Sequence, residues 1–482
     1  MQTFISLLNF VQEWIWTYFG FTILIVCALY FSVKTKFVQV RLLPEMVRLM
    51  FFTDIKNENK SDNSATISPF QAFIVSLSSR VGIGSIAGVA TAISVGGPGA
   101  VFWMWLMAFF GSALAVVESS LSQLYKRRGK SNYFGGPAYY ILYGLRKRWL
   151  SILFSILIIL DIAFFANSAQ SNTIALAFSA AFDLPKYITG IMLFLLVGFA
   201  IFGGIHRIAK ITETIVPTMV ILYLAVALYI IVNHIDKSLL VFHIILSNAF
   251  GIGEFAAGSL GTIILMGIKR SLFCNEAGEG TAPHAAATSE TSHPLKQGLI
   301  QALGVFISSF IVCSCTAFII LFSGVDFHQY NGIELVQMAI SKDIGLLGKE
   351  FIAIIIFLCA FGTIITYYFY GESNVLFLLK TNANSDNKTM NNSEKFALYS
   401  YRFIVLFFVL LGTLMSLELT WLLLDFFMAL LTICNLFALL LLSKQFLFIF
   451  DDYIQQIKHG HNPVFHKNKM PKISKFLDAW KQ

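Results

Sequence analysis

Apolar residues occupy this chain in long blocks separated by short polar connectors, and the blocks are roughly as long as the ~20 residues a helix needs to cross bilayer hydrocarbon. Eleven blocks of this kind are predicted, at 15–33, 66–95, 99–124, 150–180, 187–203, 211–233, 249–284, 295–323, 345–376, 396–416 and 419–442. Two of them read as helices built to break. In the first, RVGIGSIAGVATAISVGGPGAVFWMW (Arg80 to Trp105), Gly82, Gly84, Gly88, Gly96 and Gly97 together with Pro98 interrupt the run. Glycine weakens a helix by roughly 1 kcal/mol relative to alanine. Unwound backbone is tolerated in a membrane only where it is buried in protein or lines a polar cavity. The segment therefore reads as a discontinuous helix whose amides and carbonyls hold a substrate and an ion; small-residue packing through Gly88 and Ala92 is the other use of such spacing. The second, Gly258 to Pro294, starts as a span, loses apolar character at Lys269 and continues through Asn275, Glu276, Gly278 and Gly280. Two such segments heading two sets of five spans, 66–233 and 249–442, point to an inverted-repeat transporter with its site near the bilayer midplane.

Composition agrees with the pattern. Of 482 residues 57% are hydrophobic and 12% charged, against roughly a quarter charged in soluble domains. The net charge of +8 does not call for nucleic acid, because the basic residues follow membrane topology. With the N-terminus outside, 26 Lys and Arg fall in inner loops and the tail, and only Lys186, Lys237, Lys342 and Lys349 fall outside, as the positive-inside rule requires. The six cysteines all lie within spans and form no CxxC pair, which indicates neither a disulfide framework nor a zinc site. The first span lacks a basic leader and a small-residue cleavage site, and reads as a retained helix.

Several polar residues stand inside the spans. Glu118 is expected to be a hydrogen-bonded structural acid. Asn167, Gln170 and Asn172 either glue helices together or line a site, with Gln170 the favoured site residue. Thr363, Thr366, Tyr367 and Glu372 lie on the ninth span, Asp425 and Asn435 on the last. Outside the spans, Phe37 to Phe52 is amphipathic and is expected on the inner membrane face, with Arg41 and Arg48 towards headgroups. SNYFGGPAYY (Ser131 to Tyr140) is expected to form a tight turn or short surface helix, residues 381–395 a flexible linker, and the basic tail an inner-leaflet contact. His206 has no second ligand at usable spacing and is expected to be solvated. Glu276, Glu279 and His284 show neither zinc-ligand spacing nor a nucleophile–base pair, so an enzyme is not indicated.

Taken together, IAGVATAI and GGPGAVFWMW (Ile86 to Trp105), GGPAYYI (Gly135 to Ile141), the Gln170–Asn172 pair, LFCNEAGEGTAPHAA (Leu272 to Ala286), HPLKQG (His293 to Gly298) and the YGE of Tyr370 to Glu372 resemble, in order, the alanine or glycine:cation symporter family. This sodium:alanine symporter family comprises bacterial and archaeal carriers, and the chain resembles a divergent member. The resemblance implies an all-α polytopic protein of the cell membrane (bacterial inner membrane) with eleven transmembrane helices and a leucine-transporter-like 5+5 inverted repeat with two broken helices. Residues 1–65 would be a first helix and connector, 66–233 and 249–442 the repeats, and 443–482 a cytoplasmic tail. It further implies inward transport of a small neutral amino acid, alanine or glycine, driven by sodium. The substrate carboxylate would meet unwound backbone at Gly82, Gly84 and Ser85, where a helix end presents free N–H groups. Gln170 matches the substrate-contacting amide, and Phe273, Thr363 and Tyr367 match pocket walls.

The departures concern the ion. Where the family usually has Thr-Gly-Asn, this chain has Ile83, Gly84 and Ser85; its usual Asp-Thr is Ser308-Ser309, its Ser-Thr is Gly362-Thr363, and its Trp is Tyr367. Ser271 and Cys274 replace the common Gly and Ser. Ser85, Ser308 and Thr363 remain as sodium-ligand candidates with one carboxylate and one amide fewer. Proton coupling, an altered amino-acid cargo, and a binding-only sensor derived from a transporter stay open beside sodium-coupled uptake; oligomeric state is not encoded legibly.

Overall fold

The computed structural model describes residues 2–51, 67–129, 133–251, 260–380 and 391–480. Among these, eight helices are long and apolar enough to cross a membrane: Ile5–Lys34, Ala100–Leu124, Arg148–Phe182, Gly204–Asn233, Pro294–Ser323, Gly348–Leu379, Asn392–Leu414 and Leu417–Leu441. The expected span at 187–203 is a shorter helix, Lys186–Ile201. Those at 66–95 and 249–284 are each two helices separated by irregular backbone. The first broken helix is Pro69–Arg80 followed by Ala87–Gly96. The second is Leu260–Asn275 followed by Pro283–Ala287; its expected start at Gly258 lies outside the described residues, as do the polar run Asn57 to Ser64 and residues 381–390 of the expected linker.

Local sequence sets the ends of the first broken helix. The Ser68 hydroxyl accepts the Gln71 N–H at 3.1 Å while the Gln71 side chain accepts the Ser68 N–H at 3.1 Å, and Pro69 occupies the first helical position. This reciprocal cap satisfies orphan donors that hydrocarbon could not. At the far end Gly97, at φ 74°, lets the chain leave the helix and turn into Ala100–Leu124.

Helices differ in how much of them faces protein. In the most apolar stretch of Gly348–Leu379, 78% of residues are buried, against 28% in Gly204–Asn233, so the former is central and the latter presents most of its surface to lipid. Ala100–Leu124 packs on Pro294–Val305 and on both halves of the second broken helix. The approach to Pro294–Val305 is close because Gly298 has no side chain: a Cβ there would stand 2.7 Å from the Val116 carbonyl oxygen. Asn167–Phe182 packs between Gly348–Lys380 and Asn392–Leu414, while Pro69–Arg80 rests on Gly204–Asn233 and Gly348–Lys380.

The connectors depart from expectation in instructive ways. Val38–Arg41 and Leu43–Phe51 are helical and amphipathic, but Arg41 lies over the Phe450 ring and Glu45 receives the Tyr453 hydroxyl at 2.8 Å. The segment is thus sheathed by the tail helix Ser443–Lys458. The tail then folds back on the protein instead of resting wholly on lipid, because Phe465, Leu477 and Trp480 are buried. Pro137–Tyr140 is a short helix, as expected, yet it is buried and not on the surface, with the Tyr140 hydroxyl donating to Asn435.

Candidate functional site

Between the halves of the first broken helix the chain passes through Val81 and Gly82 into a single 3₁₀ turn, Ile83–Ser85. Three residues singled out in the sequence converge there. Gln170, on Asn167–Phe182, accepts the Ile83 N–H through Oε1 at 3.2 Å, and its Nε2 is buried without a partner. Thr363, on Gly348–Lys380, donates to the Ser78 and Cys359 carbonyls at 2.8 and 3.0 Å. Gly82 lies between them: a Cβ would meet the Thr363 hydroxyl at 2.5 Å and both Gln170 amide atoms at 3.2 Å. The absence of a side chain lets two polar groups from separate helices reach unwound backbone.

The second broken helix closes the other side. A Cβ on Gly84 would stand 3.0 Å from the Phe273 ring and 3.1 Å from the Cys274 Cα. Cys274 sends its thiol towards the Arg80 carbonyl at 3.7 Å and the Cys313 sulfur at 3.1 Å. Phe273 in turn meets Trp421 edge-on, ring centres 5.2 Å apart. Tyr367, one turn beyond Thr363, is buried beside Tyr370.

The three oxygen candidates for sodium sit on three elements, and the stretch that carries Ser308 packs against the turn that carries Ser85. Ser85 donates to the Gly82 carbonyl at 3.1 Å, within the break, and Thr363 flanks the same carbonyl-rich turn. Ser308 donates to the Val305 carbonyl at 3.2 Å, inside the π-helical stretch Phe306–Cys313, and no hydrogen bond joins it to Ser85 or Thr363. A hydroxyl that donates to a carbonyl keeps its lone pairs, so Ser85 and Thr363 with neighbouring carbonyls suit a hard monovalent cation.

The polar residues of the spans sort themselves by partner. Asn172 donates to the Gly412 and Met415 carbonyls at 2.9 and 2.8 Å and ties two helices together. Gln170 does not: it turns to the Ile83 N–H and leaves its own amide nitrogen unpartnered. Glu118 accepts from Asn435 at 3.0 Å, the hydrogen-bonded role expected of it. Glu372 turns away from the break to Arg402 at 3.1 Å, and Asp425 pairs with Arg270 at 2.5 Å.

Two residues at the crossing of the broken helices, named in the sequence without a role in the site, join the breaks or stand between them. Glu276 takes the left-handed conformation (φ 56°) and accepts the hydroxyls of Ser79 at 2.9 Å and Thr281 at 2.8 Å, joining one break to the other. Arg80, fully buried, donates to the Gln301 carbonyl at 2.6 Å and leaves Nε and Nη2 unpaired. The signal for both was an ionisable residue beside glycine inside an apolar run, which marks function by default.

A crystal structure of a mutant manganese transporter from Eremococcus coleocola covers 89% of each chain with a TM-score of 0.52 at 13% identity, so the two share a fold. A probable sodium/glutamine symporter of Bacillus subtilis is 42% identical over 471 residues, 97% of this chain and 94% of that one. A sodium/proton-dependent alanine carrier protein of Bacillus sp. PS3 is 37% identical over 426 residues, 84% and 92% of the two chains. The sequence model of the sodium:alanine symporter family matches residues 1–467. With broken-helix geometry and whole-chain similarity in agreement, the protein belongs to the sodium:alanine symporter family, whose members are membrane carriers and not enzymes.

Proposed function

We propose that the protein imports small neutral amino acids, alanine and glycine, with sodium, by alternating access around the two breaks. The observation that carries this reading is Gln170: its carbonyl caps an unwound N–H while its amide nitrogen is buried and unpaired, the state expected of a donor that waits for a carboxylate. Gly82, Gly84 and Ser85 would face that carboxylate, and Phe273, Thr363 and Tyr367 would wall the side chain. Ser85, Thr363 and nearby carbonyls would hold sodium, with Ser308 joining if the Phe306–Cys313 stretch moves inward. Eleven spans, ten of them in a 5+5 inverted repeat, accommodate the helices and both breaks. The 26-to-4 split of basic residues supports an outer N-terminus and a cytoplasmic C-terminus.

A second reading, proton coupling, is favoured by the carboxylate lost at Ser308 and by the buried carboxyl of Asp161, which lies against that of Glu279. Uptake of labelled alanine, glycine and glutamine into proteoliposomes, with sodium and proton gradients imposed separately, tests cargo and ion together. Alanine and glycine uptake driven by sodium is expected. Uptake driven by protons alone would replace the ion, and glutamine uptake without alanine the cargo. No uptake under either gradient would defeat the transport reading.

A further inference from the structure

A cavity of about 450 Å³ opens at the end of the bundle that carries Asn331 and Leu417, next to the site but separate from it. Its volume falls within the ~300–1,000 Å³ of small-molecule pockets. Lys269 and Arg270 form one wall, Asp425 and Trp421 another, and Glu418 and Glu13 stand at its rim. Both basic residues are more than nine-tenths buried. Lys269 has no ion pair or hydrogen bond among the described residues; its ammonium lies 5.6 Å from the Trp16 ring centre and within electrostatic reach of Asp425 and Glu13. Arg270 spends Nη2 on Asp425 and leaves Nε and Nη1 unpaired, while Asp425 keeps Oδ1 unpaired. A buried ammonium and guanidinium with open donors, beside a carboxylate with an open acceptor, present both signs of charge to one small space. Each such group is costly unless something pairs with it.

We propose that this cavity is an outer binding site for a zwitterionic α-amino acid, its carboxylate received by Lys269 and Arg270 and its ammonium by Asp425 and Glu418. The inference rests on the transport reading and adds to it a second seat for the same class of substrate. Arg270 stacks over Trp421 at 4.3 Å, and Trp421 meets Phe273, whose ring abuts Gly84. One aromatic pair therefore divides the outer seat from the central one, and its displacement would pass substrate inward.

Saturation binding of labelled L-alanine and, separately, L-glutamine to the purified full-length protein tests this. Two molecules of at least one probe should bind per chain, falling to one in Lys269→Met and to one in Gln170→Ala. Lys269→Arg should restore two, which a loss of folding would not allow. One molecule per chain in the unmodified protein, lost in Gln170→Ala and kept in Lys269→Met, would overturn the outer site and leave the central reading standing. Two molecules per chain in Lys269→Met would overturn it as well. No binding of either probe would overturn both.

Discussion

Gly82→Ala is the sharpest test of the broken-helix site, because the added methyl has nowhere to go. Its Cβ would stand 2.5 Å from the Thr363 hydroxyl oxygen and 3.2 Å from both amide atoms of Gln170. The hydroxyl cannot yield freely, since it donates to the Ser78 and Cys359 carbonyls at 2.8 and 3.0 Å. Overpacking of this kind costs about 1–3 kcal/mol. Where that cost falls on groups assigned to substrate it corresponds to roughly five- to 150-fold weaker binding. Gly88→Ala is the matched control. Its Cβ would find its nearest neighbour, the Ile83 carbonyl oxygen, at 3.8 Å, and alanine favours a helix by roughly 1 kcal/mol. Labelled-alanine uptake and binding, measured in proteoliposomes and detergent, should fall by that factor in Gly82→Ala and stay within about twofold in Gly88→Ala. Equal defects in the two glycine variants would mean that tight small-residue packing, not an unwound site, explains the glycines, and the reasoning would fail.

Other outcomes follow from the same contacts. Gln170→Ala should abolish substrate binding at the central site and sodium-driven uptake with thermal stability preserved, whereas Asn172→Leu should lower stability by about 1–3 kcal/mol and leave central-site affinity in place; paired melting and uptake curves separate them, and the reverse pattern would exchange the roles of the two amides. Ser85→Ala removes one hydroxyl oxygen beside the Gly82 carbonyl and should raise the sodium concentration for half-maximal uptake about tenfold, the equivalent of ~1.4 kcal/mol; unchanged sodium dependence would remove Ser85 from the ion's ligands. Lys126, beyond the C-terminal end of Ala100–Leu124, donates to Gln123 and to the Ser289 carbonyl at 2.8 Å each, yet burial lowers its pKa from 10.5 to about 7. Because the unfolded chain holds the extra proton between those values, stability should rise from about pH 7 towards pH 10. Melting temperatures over that window should climb in the unmodified protein and climb less in Lys126→Met; equal slopes would count against a buried neutral lysine.

Sequence alone determined the features that depend on short stretches of chain. Apolar blocks long enough to cross a bilayer, glycines that unwind a helix and the asymmetry of basic residues all act locally, and each is legible without a fold. Which face of each helix meets protein was not legible. In lipid the surroundings are as apolar as the interior, so the periodicity that marks the buried side of a soluble helix is nearly erased. Only the tertiary structure could therefore send Gln170 to Ile83 and Asn172 to Gly412, two residues apart on one helix, or turn Glu372 away from the break that Thr363 faces. It also brought Glu276 to Ser79 and Arg270 to Asp425, contacts between residues 197 and 155 positions apart. A buried charge can be read from sequence as a problem; its partner, and hence its role, is decided by the helices that pack beside it.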